Sequence, residues 1–122
     1  MKKELRIRKP QEFSHVYHNG KSWVSDLLVM KALGINENRS SRFGFTVAKR
    51  TGNTVLRNSI KRRLKESVRH TRVRDGWDLV FIARQKASLV SYQDLKDSVT
   101  YLLGKADLLT EPTDTIEKRA NN

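Results

Sequence analysis

RFGFTVAKRTGNTVLRNSIKRRLKE, residues 42–66, changes its apolar period part-way along, and that change decides the fold class. From Arg42 to Val47 the residues alternate: Phe43, Phe45 and Val47 belong to one face, Arg42, Gly44 and Thr46 to the other, as on a strand. Beyond Gly52-Asn53 the spacing lengthens. Leu56, Ile60, Leu64 and Val68 recur every four residues, the stripe of an amphipathic helix. Asn53 is the expected N-cap, with Thr54 as its competitor, and Gly76 marks the downstream limit. Trp77 to Ala83 then runs apolar almost without a break, which predicts an internal strand buried on both faces and reached by a helical crossover.

Upstream, Pro10 suits a first helical turn, and Phe13, Val16 and Tyr17 follow at helical spacing until Asn19-Gly20. Lys21 to Leu33 reads as strand, broken in two at Ser25-Asp26, and Gly34 to Ser41 reads as a turn or loop. Downstream, Ser91 and Asp94 have capping-box spacing ahead of a second long helix to Leu109, with Leu95, Val99, Leu102 and Leu103 inward. The expected architecture is an α/β (α+β) two-layer sandwich with one mixed sheet of about four strands, in the order α-β-β-β-α-β-α. Residues 1–109 are expected to form one domain, and the Thr-, Glu- and Asn-rich residues 110–122 a flexible tail.

Charge narrows the function classes. The 122 residues carry a net charge of +12, and it is unevenly placed: residues 1–74 hold 19 basic and 5 acidic side chains, the remainder 6 and 8. An excess this one-sided points to a polyanionic partner, of which nucleic acid is the commonest. No run approaches the roughly 18 apolar residues of a membrane span, and no apolar stretch follows the charged N-terminus. With no cysteine in the chain, disulfides and thiolate metal sites are excluded. Cytoplasmic residence, no membrane partner and no obligate protein partner are the resulting expectations.

Two surfaces emerge. Eight basic residues lie between Arg57 and Arg74, opposed before Asp75 only by Glu66. With Ile60 and Leu64 turned inward, Asn58, Arg62, Lys65 and Arg69 share the outer helical face. Lys49 and Arg50 extend that patch towards the helix N-terminus, whose free N–H groups also favour anions. The second surface is the strand face of Arg42, Gly44 and Thr46, where the missing side chain of Gly44 leaves room for a flat ligand, with Phe13 and Tyr17 available to stack. A self-contained nuclease is not indicated. His15, His18 and His70 form no metal spacing with a carboxylate, and Glu66 alone is expected to pair with Arg62 or Arg69. No catalytic or metal-ligating residue is therefore assigned.

The stretch 42–66 resembles the signature of the bacterial ribonuclease P protein subunit: a strand with a small residue, a Lys-Lys/Arg pair, a Gly-Asn turn, and a helix opening Arg-Asn-Arg-x-x-Lys-Arg. Gly44, Val47, Lys49, Arg50, Gly52, Asn53, Val55, Arg57, Asn58, Lys61 and Arg62 match it. Ser59 stands where the family commonly has the third residue of Arg-Asn-Arg, so the long cationic reach is lost there. The resemblance implies an accessory subunit of a ribonucleoprotein endoribonuclease that removes the 5′ leader of precursor tRNA, with the chemistry and the Mg2+ ions held mainly by the catalytic RNA. It implies RNA-subunit contacts at Lys49, Arg50, Arg57, Asn58, Lys61, Arg62 and Lys65, to which the outer helical face adds Arg69. It implies leader contacts at Phe13, Tyr17, Arg42, Gly44 and Thr46, together with Lys31 and Arg84. It also implies a left-handed βαβ crossover, where the general rule expects a right-handed one. A ribosomal or RNA-chaperone protein with the same cationic helix is the alternative. A DNA-binding regulator lacks the preceding short helix and tight turn.

Overall fold

The computed structural model describes residues 5–110, and the change of period falls where the chain leaves the sheet. Helix α1 spans Pro10–Asn19, strands β1 and β2 span Lys21–Val24 and Leu28–Gly34, and β3 spans Arg42–Val47. Helix α2 (Thr54–Arg69), strand β4 (Trp77–Ala83) and helix α3 (Tyr92–Lys105) follow. Single 3-10 turns at Lys49–Thr51 and Gln85–Leu89 take the chain out of β3 and β4. The sheet order is β1-β2-β4-β3. β1 with β2 and β2 with β4 are antiparallel, whereas β3 and β4 are parallel, so α2 is the crossover between them. The apolar run of residues 77–83, broken only at Asp78, is thereby explained: β4 has a strand on each side and packed side chains on both faces.

One face carries the main core. Leu28, Met30 and Ala32 of β2, Phe43, Phe45 and Val47 of β3, and Leu79, Phe81 and Ala83 of β4 pack against Ile60, Leu64 and Val68 of α2 and Leu95, Val99, Leu102 and Leu103 of α3. The other face is covered in part by α1, through Val16 and Phe13 with Ile7, Leu33, Val80 and Ile82. To the expected two layers the structure thus adds α1 as a partial third. Ahead of α1 the chain runs along the outer edge of β3, where the Ile7 N–H donates to the Phe43 carbonyl at 2.9 Å and protects that edge.

Local signals set the helix limits. The Asn53 side chain accepts the Leu56 N–H at 2.9 Å. Ser91 and Asp94 close a reciprocal capping box, with the Asp94 N–H donating to Ser91 Oγ at 3.2 Å. Helix α2 stops at Arg69, well short of Gly76, so Arg72 and Arg74 lie on the following turn and not on the helix. Gly76 has another task. At φ +92° it adopts a left-handed conformation, and a Cβ there would meet the Glu37 backbone at 2.7 Å. Helix α3 likewise stops at Lys105, and the chain turns back so that Leu108 is buried and Leu109 bridges to Val73. Of the expected tail, Thr110 donates its N–H to the Arg72 carbonyl at 3.0 Å, and the rest lies outside the described residues. Among the described residues no helix is long and apolar enough to cross a membrane.

Packing holds α2 together against its own charge. Burying each of Ile60, Leu64 and Val68 is worth about 2 kcal/mol. Like-charge neighbours one turn apart cost only about 0.2–0.5 kcal/mol per pair. The core wins, and the cationic outer face is carried at a tolerable cost.

Candidate nucleic-acid interface

On α2 the outer cations fall into two groups. Lys61, Arg62 and Lys65 make no ion pair with an acidic side chain among the described residues, and Asn58 beside them is exposed. Partial burial lowers the Lys65 ammonium from its usual range by stripping water from it. Arg6, Lys61 and Arg62 push in the same direction. A phosphate placed there would relieve all three repulsions at once. The remaining cations are already engaged. Arg57 braces the helix start, its Nε donating to the Gly52 carbonyl at 3.2 Å and its Nη2 to Thr54 Oγ1 at 3.3 Å. Arg69 donates to both oxygens of Glu66 at 3.2 and 2.9 Å, and His70 Nε2 lies 2.7 Å from the same carboxylate. These partners, Arg69 foremost, hold the Glu66 carboxyl down at about 2. Arg63 turns inward and donates to the Val90 carbonyl at 3.0 Å, so it does not replace the cation missing at Ser59.

The strand register lays out the opposite face. Val24, Val29, Ile82 and Thr46 stand side by side across the four strands, and Lys31, Val80 and Gly44 form the next row. Helix α1 crosses the second row. Its Phe13 ring sits over Gly44, where a Cβ would come within 2.7 Å of the ring, and Tyr17 lies 6.2 Å from Phe13 between ring centroids. The space predicted above Gly44 is therefore filled by the protein itself. Gly44 is buried, and its lack of a side chain admits Phe13 rather than a ligand. What stays accessible is the first row: Val29, Ile82 and Thr46 are half-buried and Val24 is exposed, as is Tyr17 beside Phe13 at 38% exposure. Burial pushes the Tyr17 phenol above its usual range, so it remains a neutral donor.

At the carboxyl ends of β3 and β4 this row opens into a depression of about 390 Å³. Arg50, Thr51, Ile82, Arg84 and Lys86 line it, with Asp26 at the rim. Arg50 and Arg84, assigned to different RNA surfaces from sequence, are brought together here. Arg84 also donates to the Ser25 carbonyl at 3.0 Å, which orients its fork. Lys86 was not anticipated. It sits on the 3-10 turn after β4, and nothing in its local spacing marks it.

Arg42 is placed differently from the expectation. Its Nε and Nη2 donate to the two oxygens of Asp78 at 3.0 and 2.8 Å, and its Nη1 donates to Glu12 at 2.9 Å. Its fork is thus committed to Asp78 and Glu12. Among the described residues no group of three or more His, Asp or Glu side chains could hold a metal ion.

A sequence profile of the family described as Ribonuclease P matches residues 1–107. The chain belongs to the ribonuclease P protein family. A ribonuclease P protein component from Dehalococcoides mccartyi is 40% identical over 121 residues, covering 99% of this chain and all of the relative. One from Clostridium novyi is 43% identical over 111 residues, covering 88% of this chain and 98% of the relative. Among solved structures, that of a Staphylococcus aureus RNase P protein mutant with defective mRNA degradation activity superposes with a TM-score of 0.78 at 31% identity, covering 88% of this chain and 92% of that one. The RNase P protein from Thermotoga maritima gives 0.75 at 27% identity, covering 82% and 96%.

Proposed function

We infer that the chain works as the accessory protein subunit of ribonuclease P, aiding endonucleolytic removal of the 5′ leader from precursor tRNA by an RNA catalyst. The observation that carries this reading, beside family membership, is the separation of two surfaces: cations on α2 that make no ion pair among the described residues, and an aromatic-edged row of half-buried side chains across the sheet. Lys61, Arg62, Lys65 and Asn58 dock on the catalytic RNA, with Lys49 and the braced Arg57 at the helix start. Each phosphate they neutralise releases condensed counterions, which drives association and makes it salt-dependent.

The leader lies along Val29, Ile82 and Thr46. Tyr17 offers a ring edge and a hydroxyl, and Lys31 flanks the strand. Arg50, Arg84 and Lys86 receive the backbone where it leaves the sheet. Such contacts suit a single strand of any sequence, since stacking and phosphate pairing do not read base edges. The magnesium ions, held by the RNA, supply activation of water and stabilisation of the leaving oxygen. The protein's part is to bind the leader and to reduce repulsion between two polyanions. Its place of work is the cytoplasm.

Cleavage of a 5′-labelled precursor tRNA, with a bacterial catalytic RNA present or absent, tests the reading. Correct processing that requires the RNA and is enhanced by the protein is the expected result. Tight RNA binding without enhancement would favour the ribosomal or chaperone alternative, and cleavage by the protein alone would reveal an active site.

A further inference from the structure

Asp78 is a charged residue near the start of an otherwise apolar strand, the second of the seven in β4. Its side chain is only 4% exposed, and it lies directly across from Arg42 in the parallel β3–β4 register. A carboxylate this deep must be paired, because desolvation without a partner costs several kcal/mol. Arg42 provides a bidentate pair at 3.0 and 2.8 Å, and Arg39 Nη2 adds a third contact at 3.2 Å. The bonding continues outward. Arg42 Nη1 donates to Glu12 Oε2 at 2.9 Å, and Glu12 Oε1 accepts the N–H groups of Arg8 and Lys9, both at 3.1 Å, at the start of α1. A continuous path of charge-assisted bonds thus runs from the sheet interior to the first turn of α1. Its two cations and two carboxylates cancel, so the path has no net attraction for RNA.

We propose that Asp78, Arg42 and Glu12 form a latch that fixes the position of α1 and thereby sets the width of the leader groove. Asp78 and Glu12 are positioning residues: they act through Arg42 and touch no RNA. Glu12 precedes Phe13, the ring packed over Gly44, and lies five residues before Tyr17 at the groove edge. Apart from this latch, α1 rests on the sheet through one fully buried side chain, Val16, and the half-buried Phe13. A contact so small leaves the helix free to rock unless a directional bond holds one end. The latch supplies that bond, and it pre-organises the groove so that the leader need not order α1 on binding.

The inference rests on the leader reading above, and the test separates the two. Holoenzyme reconstituted with a bacterial catalytic RNA is compared on precursor tRNA carrying a leader and on tRNA without one, for wild type, Glu12→Gln and Asp78→Asn. Glu12→Gln keeps the shape but removes the charge and one of the two acceptor oxygens. The ratio of the two Kd values is expected to fall roughly tenfold in Glu12→Gln, the loss of one charge-assisted bond. Affinity for the catalytic RNA alone should stay unchanged, and kcat at saturating substrate should hold while KM rises. Asp78→Asn should show the same split more strongly, with a lower Tm. An unchanged ratio in Glu12→Gln would overturn the latch, as would a parallel loss on both substrates. If wild type itself gains nothing from a leader, the leader reading falls and the latch with it.

Discussion

At Gly44 a single methyl group would stand 2.7 Å from the Phe13 ring and 3.3 Å from Ile7, on the one route by which α1 approaches the sheet. Gly44→Ala is therefore expected to cost about 1–3 kcal/mol through overpacking, seen as a lower Tm, and to weaken leader binding by displacing Phe13. Glu12 gives the fold a pH dependence. The Lys9 N–H, the Arg42 guanidinium and the Arg8 N–H hold its carboxyl at about 2, below the 4.5 of a free side chain. A folded-state value below the unfolded one means that the stabilisation is complete above about pH 4.5 and is lost as pH falls towards 2. In denaturation series from pH 6 to pH 2, Glu12→Gln should lack this part of the acid-induced decline. Sequence patterning located Gly44 and Arg42 on the right face of the right strand. It could not show that Phe13 fills the space or that Asp78 takes the guanidinium, because Asp78 lies 36 residues away and meets Arg42 only once β3 and β4 pair.

At the scale of the element, α2 was the most legible part of the chain. Its stripe of Ile60, Leu64 and Val68 is buried as the four-residue spacing predicts, and Asn53 caps it. Asn53→Ala should lower stability by about 1 kcal/mol in denaturant titration, the usual loss when an N-cap acceptor is removed. The outer face was legible in position but not in occupancy. Helical spacing puts Arg62, Lys65 and Arg69 together and offers Glu66 either Arg62 or Arg69; the three-dimensional contacts decide for Arg69, while Lys61, Arg62 and Lys65 make no ion pair among the described residues. Alanine at any one of those three should weaken binding to the catalytic RNA and reduce the slope of log Kd against log salt by about 1. An unchanged slope would remove that residue from the phosphate-contacting set.

For the whole molecule, the asymmetry of charge along the sequence becomes an asymmetry in space. The basic first part of the chain supplies α1, β3 and α2, while the later part supplies the central strand and α3. The mixed sheet was readable from the nearly continuous apolarity of residues 77–83. The placement of α1 on the opposite face was not, since a short amphipathic helix carries no mark of which side it will cover. Because the protein contributes binding and not chemistry, Lys61→Ala, Arg62→Ala and Lys65→Ala should impair processing more at low than at high magnesium. Cleavage rates measured across a magnesium titration check this, and equal defects at all concentrations would contradict it.

The strand order β1-β2-β4-β3 has a consequence for how the chain is made. The last strand to emerge from the ribosome, β4, is the one that joins β2 to β3, so the β1–β2 hairpin and β3 have no common partner until residue 83 has emerged. Until then the long apolar stripe of α2 has no completed sheet to cover, while its outer cations are already exposed beside the ribosome's own RNA. Folding of this protein must therefore wait on its second half, with its most RNA-seeking segment already outside.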